Sequence, residues 1–208
     1  MFRTIDGLLT EQARRAGDRV YLETIDPPGR LTFAELDAAC HRVAHFLAGR
    51  GVRAGERITL LGENSLATVV LFFGVQRYGA TLNPVNVEVN GANLAAILGD
   101  VGPTLVLASR ELPLETREVV RASGVPTIAF GDLLDGTPGD DLGALLAGLP
   151  GSPCPKLAGL PDFAVIDYTS GTPSRPKGVC LSPTAFVCGC ASPVERFGVV
   201  AGERIIDE

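Results

Sequence analysis

Short apolar runs with little polar alternation, spaced by segments of helical length, constrain this chain more than any other feature. Residues 57–61, 104–108 and 127–130 read as strands with no face reserved for water. Between and before them, helical spacing of apolar side chains predicts helices over 4–16, 33–50, 66–78, 91–98 and 114–122. Thr32 and Glu35 have the spacing of a capping box at the start of the second helix, and Gly51 stops it. Extended segments at 20–25 and 81–86 complete the alternation. Strands that read as buried on both faces, joined through helices, form parallel sheets covered on both sides. The expected fold class is therefore α/β: a doubly wound, largely parallel sheet flanked by helices.

Composition excludes several functions. A chain of 208 residues can bury one sizeable core or two small ones, and 46% hydrophobic with 20% charged residues is the balance of a globular protein. A net charge of −6 argues against a nucleic-acid surface, and the lack of Trp with only three Tyr leaves no stacking platform. The longest apolar helix candidate, 66–75, is about half the length needed to cross a bilayer, and Met1–Leu9 has no long apolar run of a signal peptide. No membrane span and a cytoplasmic location are expected.

Five cysteines, odd in number and scattered, do not suggest a disulfide framework. Cys188-Gly-Cys190 is a weak metal or redox pattern, and buried or half-buried thiols are the expectation there. His41 and His45 have the i, i+4 spacing that lets two imidazoles share a metal, but no third ligand is near in sequence, so a solvated helix face is expected.

Residues 131–161 are rich in Gly, Pro and Asp around one short amphipathic piece at 142–149 and read as a surface excursion or linker. We therefore expect residues 1–160 to form an N-terminal subdomain and 161–208 to open a second portion. That portion begins with an apolar strand at 163–166 and continues into Tyr168-Thr-Ser-Gly-Thr-Pro-Ser-Arg-Pro-Lys-Gly178. Hydroxyls at Thr169, Ser170, Thr172 and Ser174 donate hydrogen bonds to anions. Gly171 and Gly178 let backbone N–H groups approach closely, and Arg175 and Lys177 add charge. The order is not that of a Walker A loop, because Pro-Lys-Gly leads into a second apolar strand at 179–181 rather than a helix. Read from the residues alone, the stretch is either a phosphate cradle or an ordinary surface hairpin.

The order of residues from Tyr168 to Val179 resembles the signature of the adenylate-forming superfamily, the AMP-dependent synthetases and ligases that include acyl-CoA synthetases. The resemblance extends to Leu31-Thr-Phe-Ala-Glu-Leu36, Gly51-Val-Arg-Ala-Gly-Glu-Arg-Ile58, Gly62-Glu-Asn-Ser65 and Gly79-Ala-Thr-Leu-Asn-Pro-Val-Asn86. It covers the front part of such an enzyme. The resemblance implies a carboxylate that attacks the α-phosphorus of ATP, with Mg²⁺ as cofactor and coenzyme A as a candidate acceptor. It also implies that Thr169, Ser170, Gly171, Thr172, Ser174, Lys177 and Gly178 contact the ATP phosphates.

It assigns no catalytic residue and no metal ligand to this stretch, because the family's adenine, ribose, Mg²⁺ and catalytic-lysine motifs have no counterpart in it. We therefore expect a chain inactive on its own, completed by a second chain or forming a homodimer. Two residues depart from the pattern: Pro173 replaces a Thr within the loop, and Pro183 stands where relatives often have His. Pro173 removes a hydroxyl and an N–H donor. These departures leave open a non-enzymatic module that binds a nucleotide or a partner.

Overall fold

The computed structural model describes residues 4–26, 28–131, 142–154, 161–169, 176–200 and 202–203. The elements are α1 (Ile5–Ala16), β1 (Val20–Thr24), β2 (Gly29–Thr32), α2 (Phe33–Gly49), β3 (Arg57–Leu61), α3 (Leu66–Tyr78), β4 (Thr81–Val85) and α4 (Gly91–Val101). They continue with β5 (Leu105–Ser109), α5 (Leu114–Ala122), β6 (Thr127–Phe130), α6 (Leu142–Ala147), β7 (Val165–Thr169), β8 (Lys177–Leu181) and α7 (Pro183–Phe197).

Six strands make one sheet in the order β6-β5-β3-β4-β7-β8, and β1 and β2 form a separate antiparallel pair. Every pairing in the large sheet is parallel except β7 with β8. Successive side chains of a strand point to opposite faces, and two cores result. Ile58 and Leu60 of β3 and Leu105 and Leu107 of β5 pack in the core that includes α2 and α3. Leu61, Val106 and Ala108 pack in the second core, with Leu94, Ile97, Leu98 and Val101 of α4. The doubly wound α/β expectation is met.

Helix starts follow local chemistry. Thr32 Oγ1 accepts from the Glu35 N–H at 3.2 Å while the Glu35 carboxylate accepts from the Thr32 N–H at 2.8 Å, so the capping box forms as its spacing predicts. Ser65 caps α3 through Thr68, and Asn90 caps α4 through Asn93.

Several expectations need correction. The amphipathic piece at 142–149 is more than a surface excursion: it forms α6, whose Leu142 and Leu146, with Cys154 beyond it, are buried in the first core while Leu145 faces water. His41 is not solvated but 7% exposed, 3.6 Å from Asp37, while half-buried His45 lies 3.1 Å from the Ser152 carbonyl. Cys188 is half-buried as expected, whereas Cys190 is exposed. The strand expected at 163–166 begins at Val165 and runs on to Thr169, leaving Phe163 at 40% exposure before it. Among the described residues no helix is long and apolar enough to cross a membrane.

Candidate functional site

The signature segment sits on the β7–β8 hairpin at the edge of the large sheet. Its antiparallel register pairs Thr169 with Lys177 and Tyr168 with Gly178. The hydroxyl-bearing Thr169 and the cationic Lys177 thus stand side by side at the last pair of the ladder, both exposed. Ser170, Gly171, Thr172 and Ser174, with Pro173 and Arg175, lie outside the described residues. Of the seven candidate contacts, the described residues therefore place Thr169, Lys177 and Gly178, and bring them together.

What holds β7 in the sheet was not foreseen from sequence. β4 pairs with β7 through Leu82 and Val165, with the Leu82 N–H donating to the Ala164 carbonyl at 2.9 Å. In a parallel ladder the next donor along β4 is two residues on. That residue is Pro84, which has no N–H. The side chain of Asn83 takes over: its Nδ2 donates to the Ile166 carbonyl at 2.9 Å. Its Oδ1 accepts in turn from the Thr59 hydroxyl of β3 at 3.1 Å. The Thr81 hydroxyl adds a bond to the Phe163 carbonyl at 2.7 Å. Asn83 and Thr59 are fully buried, so every one of these polar atoms needs its partner. A Pro inside a strand-like run, preceded by Asn, is the sequence signal that points to this repair.

The far stem of the hairpin is equally defined. The Ala164 N–H bonds to the Leu181 carbonyl at 2.8 Å, closing the β7–β8 ladder. Ser182 then caps α7, its Oγ accepting from the Ala185 N–H at 3.2 Å. Pro183 occupies the first helical position, where a missing N–H loses no intrahelical bond. The residue that departs from the family pattern thus serves the start of α7. Phe186 of that helix packs on Phe72 of α3, ring centroids 5.8 Å apart, and Val187 is buried in the first core.

Tyr168, the first residue of the signature, packs against the second core, and its hydroxyl donates to Asp100 at 2.5 Å. Burial, reinforced by the Asp100 carboxylate, pushes the Tyr168 phenol up to about 12. Among the described residues no group of three or more His, Cys, Asp or Glu side chains could hold a metal ion.

Residues 9–206 match the profile of the AMP-binding enzymes. The chain belongs to that family. Within the AMP-binding enzymes it is similar to the phosphinothricin tripeptide synthetase of Streptomyces viridochromogenes, 31% identical over 205 residues. It is also similar to a feruloyl-CoA synthase of Amycolatopsis, 30% identical over 176 residues. These alignments take in 98% and 85% of this chain but 18% and 33% of the relatives. The chain thus spans a third or less of their length. Among solved structures, VinN in complex with L-aspartate superposes with a TM-score of 0.80 at 26% identity, over 95% of this chain and 49% of that one. ATP-bound MatB from Rhodopseudomonas palustris gives 0.77 at 26% identity, over 94% of this chain and 38% of that one.

Proposed function

We propose that this chain is the N-terminal part of a cytoplasmic, ATP-dependent, AMP-forming ligase that activates a carboxylic acid. The observation that carries this reading is the register of Thr169 against Lys177 in a chain of the AMP-binding family. It sets a hydroxyl donor beside an ammonium group, on either side of a sequence stretch rich in hydroxyls and glycine. In this reading residues 1–160 form the N-terminal subdomain. Residues 161–208 open the portion that carries the phosphate loop.

The chemistry is an attack by a carboxylate on the α-phosphorus of ATP, with pyrophosphate leaving and an acyl-adenylate formed. An anion must approach a polyanion, so the rate depends on fixed donors and positive charge around the phosphates. Thr169, Ser170, Thr172 and Ser174 donate hydroxyl hydrogen bonds to phosphate oxygens. Gly171 and Gly178 allow close backbone approach, and Lys177 offsets negative charge. Mg²⁺ would supply further charge neutralisation, and coenzyme A is a candidate acceptor of the acyl group. The described residues form no metal cradle, and no step is assigned to Mg²⁺ on them. Adenylate formation in this reading draws on parts that the relatives possess beyond the matched 18% and 33% of their length.

Equilibrium binding of MgATP to this chain tests the reading directly. Lys177→Ala should weaken binding about tenfold, the loss of one charge-assisted contact. A wild-type chain with no ATP affinity in the millimolar range overturns it. ATP–pyrophosphate exchange over a panel of carboxylic acids, with this chain alone and with a complementing chain, tests the division of labour. Exchange by this chain alone would refute it. The second reading, a non-enzymatic nucleotide- or partner-binding module, is favoured by Pro173, which removes a hydroxyl and an N–H from the loop. ATP binding without exchange in any combination would support it.

A further inference from the structure

The stem of the candidate loop has an anchor outside its own hairpin. The Tyr168 hydroxyl donates to Asp100 Oδ2 at 2.5 Å, the short end for a hydroxyl bonded to a carboxylate. Asp100 is the penultimate residue of α4, and the end of that helix is fixed independently. Gly102 caps it in the left-handed conformation, φ +56°, with its N–H on the Leu98 carbonyl at 3.0 Å. The Arg57 guanidinium donates to the Val101 carbonyl at 2.5 Å, and Leu98 and Val101 are buried in the second core. Asp100 is therefore presented from a rigid support.

On its other side the Tyr168 ring lies over Gly178, its partner across the β7–β8 pair. A Cβ at position 178 would stand 3.0 Å from Tyr168 Cζ, 3.2 Å from its hydroxyl and 3.3 Å from Ile166 Cγ2. The ring occupies the space that a side chain at 178 would need, which is why glycine stands there. One aromatic ring thus touches both stems of the loop and is pinned by its hydroxyl to a helix that belongs to neither.

We propose that Asp100 and Tyr168 are a positioning pair that fixes both stems of the β7–β8 loop in the geometry that receives the ATP phosphates. This rests on the preceding reading of that loop as an ATP-binding element. Free stems would have to be ordered when ligand arrives, and that ordering entropy is subtracted from affinity. Stems already fixed carry no such loss. The location of Asp100 fits this role. A carboxylate near an anion site opposes anion binding, and here the carboxylate is turned to the phenol proton of Tyr168.

The test compares wild type, Tyr168→Phe, Asp100→Ala, Asp100→Asn and the Tyr168→Phe/Asp100→Ala double variant by two measurements. The first is ligand-free amide hydrogen exchange. Thr169 and Lys177 should exchange about tenfold faster in the Phe and Ala variants, with Leu107 of β5 unchanged. The second is the MgATP dissociation constant, which should rise about tenfold in the same two variants, about 1.4 kcal/mol. Asp100→Asn, whose amide oxygen still accepts a hydrogen bond, should fall between them and wild type. The double variant should be no weaker than the weaker single one, because the two side chains act through one bond.

Unchanged exchange at the stems overturns the pair itself. Faster exchange with unchanged ATP affinity overturns its positioning role, and so do additive losses in the double variant. A wild-type chain that does not bind ATP overturns the preceding reading together with the positioning role. A wild type that binds ATP while the variants match it overturns the positioning role alone.

Discussion

Arg77 of α3 is a cation at 2% exposure, held by two neighbouring helices rather than by water. Its guanidinium meets Asp37 Oδ1 at 2.6 Å and the Asp37 carbonyl at 3.0 Å from α2, and Asp6 at 3.1 Å and the Thr10 hydroxyl at 3.4 Å from α1. Desolvating a charge is unfavourable enough that such a site tolerates loss of a partner poorly. Asp37→Ala should cost about 3–5 kcal/mol. Urea denaturation reads this as a lower midpoint at an unchanged slope. Arg77→Met should cost less, because Asp6 and Asp37, with side chains 15% and 24% exposed, retain access to water. Tyr168 sets a pH dependence of a different kind. Burial first, then the Asp100 carboxylate, raise its phenol from 10.0 to about 12. The folded state therefore prefers the neutral phenol more than the unfolded chain does. The associated stability is fully present below pH 10 and is lost as pH rises from 10 towards 12. Tyr168→Phe should lose less stability than wild type across that window, measured by denaturation at stepped pH. Asp100→Asn should lower the Tyr168 value in an ultraviolet absorbance titration.

At the scale of elements, the weakest join in the large sheet is the one that carries the signature. β4 and β7 share a single registered pair, and Pro84 removes the next ladder donor, so Asn83 stands between a docked hairpin and a loose one. Asn83→Leu keeps the branched heavy-atom shape but leaves the Ile166 carbonyl and the Thr59 hydroxyl buried without the amide, at about 1–3 kcal/mol for each unsatisfied group. Amide exchange should quicken across 165–169 and 177–181 while β3 and β5 keep their protection. Equal loss of protection throughout the sheet would show that Asn83 supports the whole fold rather than this join. The elements legible in sequence were those whose environment imposes a simple pattern. β3, buried at four of its five positions, leaves a continuous apolar run, and α2 buries one helical stripe. β2 was missed because Gly29-Arg-Leu-Thr32 has neither length nor alternation. α7 was missed because Gly189 and Pro193 interrupt its helical pattern. Its stability comes from tertiary contacts of Phe186 and Val187 that no local pattern announces.

At the scale of the whole molecule, one sheet serves two cores. The family was legible because its motifs are contiguous in sequence. Asn83, Thr59 and Asp100 were not, because their partners lie 83, 24 and 68 residues away. Only the register of β4, β7 and β8 brings them to the loop. The same sharing of strands sets how the chain unfolds. β3 and β5 contribute alternate side chains to both faces, so neither core can melt without exposing the back of the other. Leu71 is fully buried in the first core and Leu94 in the second. Leu71→Ala and Leu94→Ala should each cost about 2–5 kcal/mol, the loss of a buried side chain plus a cavity. Each should shift a single transition, seen alike by far-UV circular dichroism and tyrosine fluorescence. The double variant should lose the sum of the two, since the sites lie on opposite faces and share no cavity. Two separate transitions, with Leu94→Ala moving only one of them, would show instead that the α4–α5 face unfolds on its own. The sheet would then transmit nothing between the Asp100 support and the core under α2 and α3.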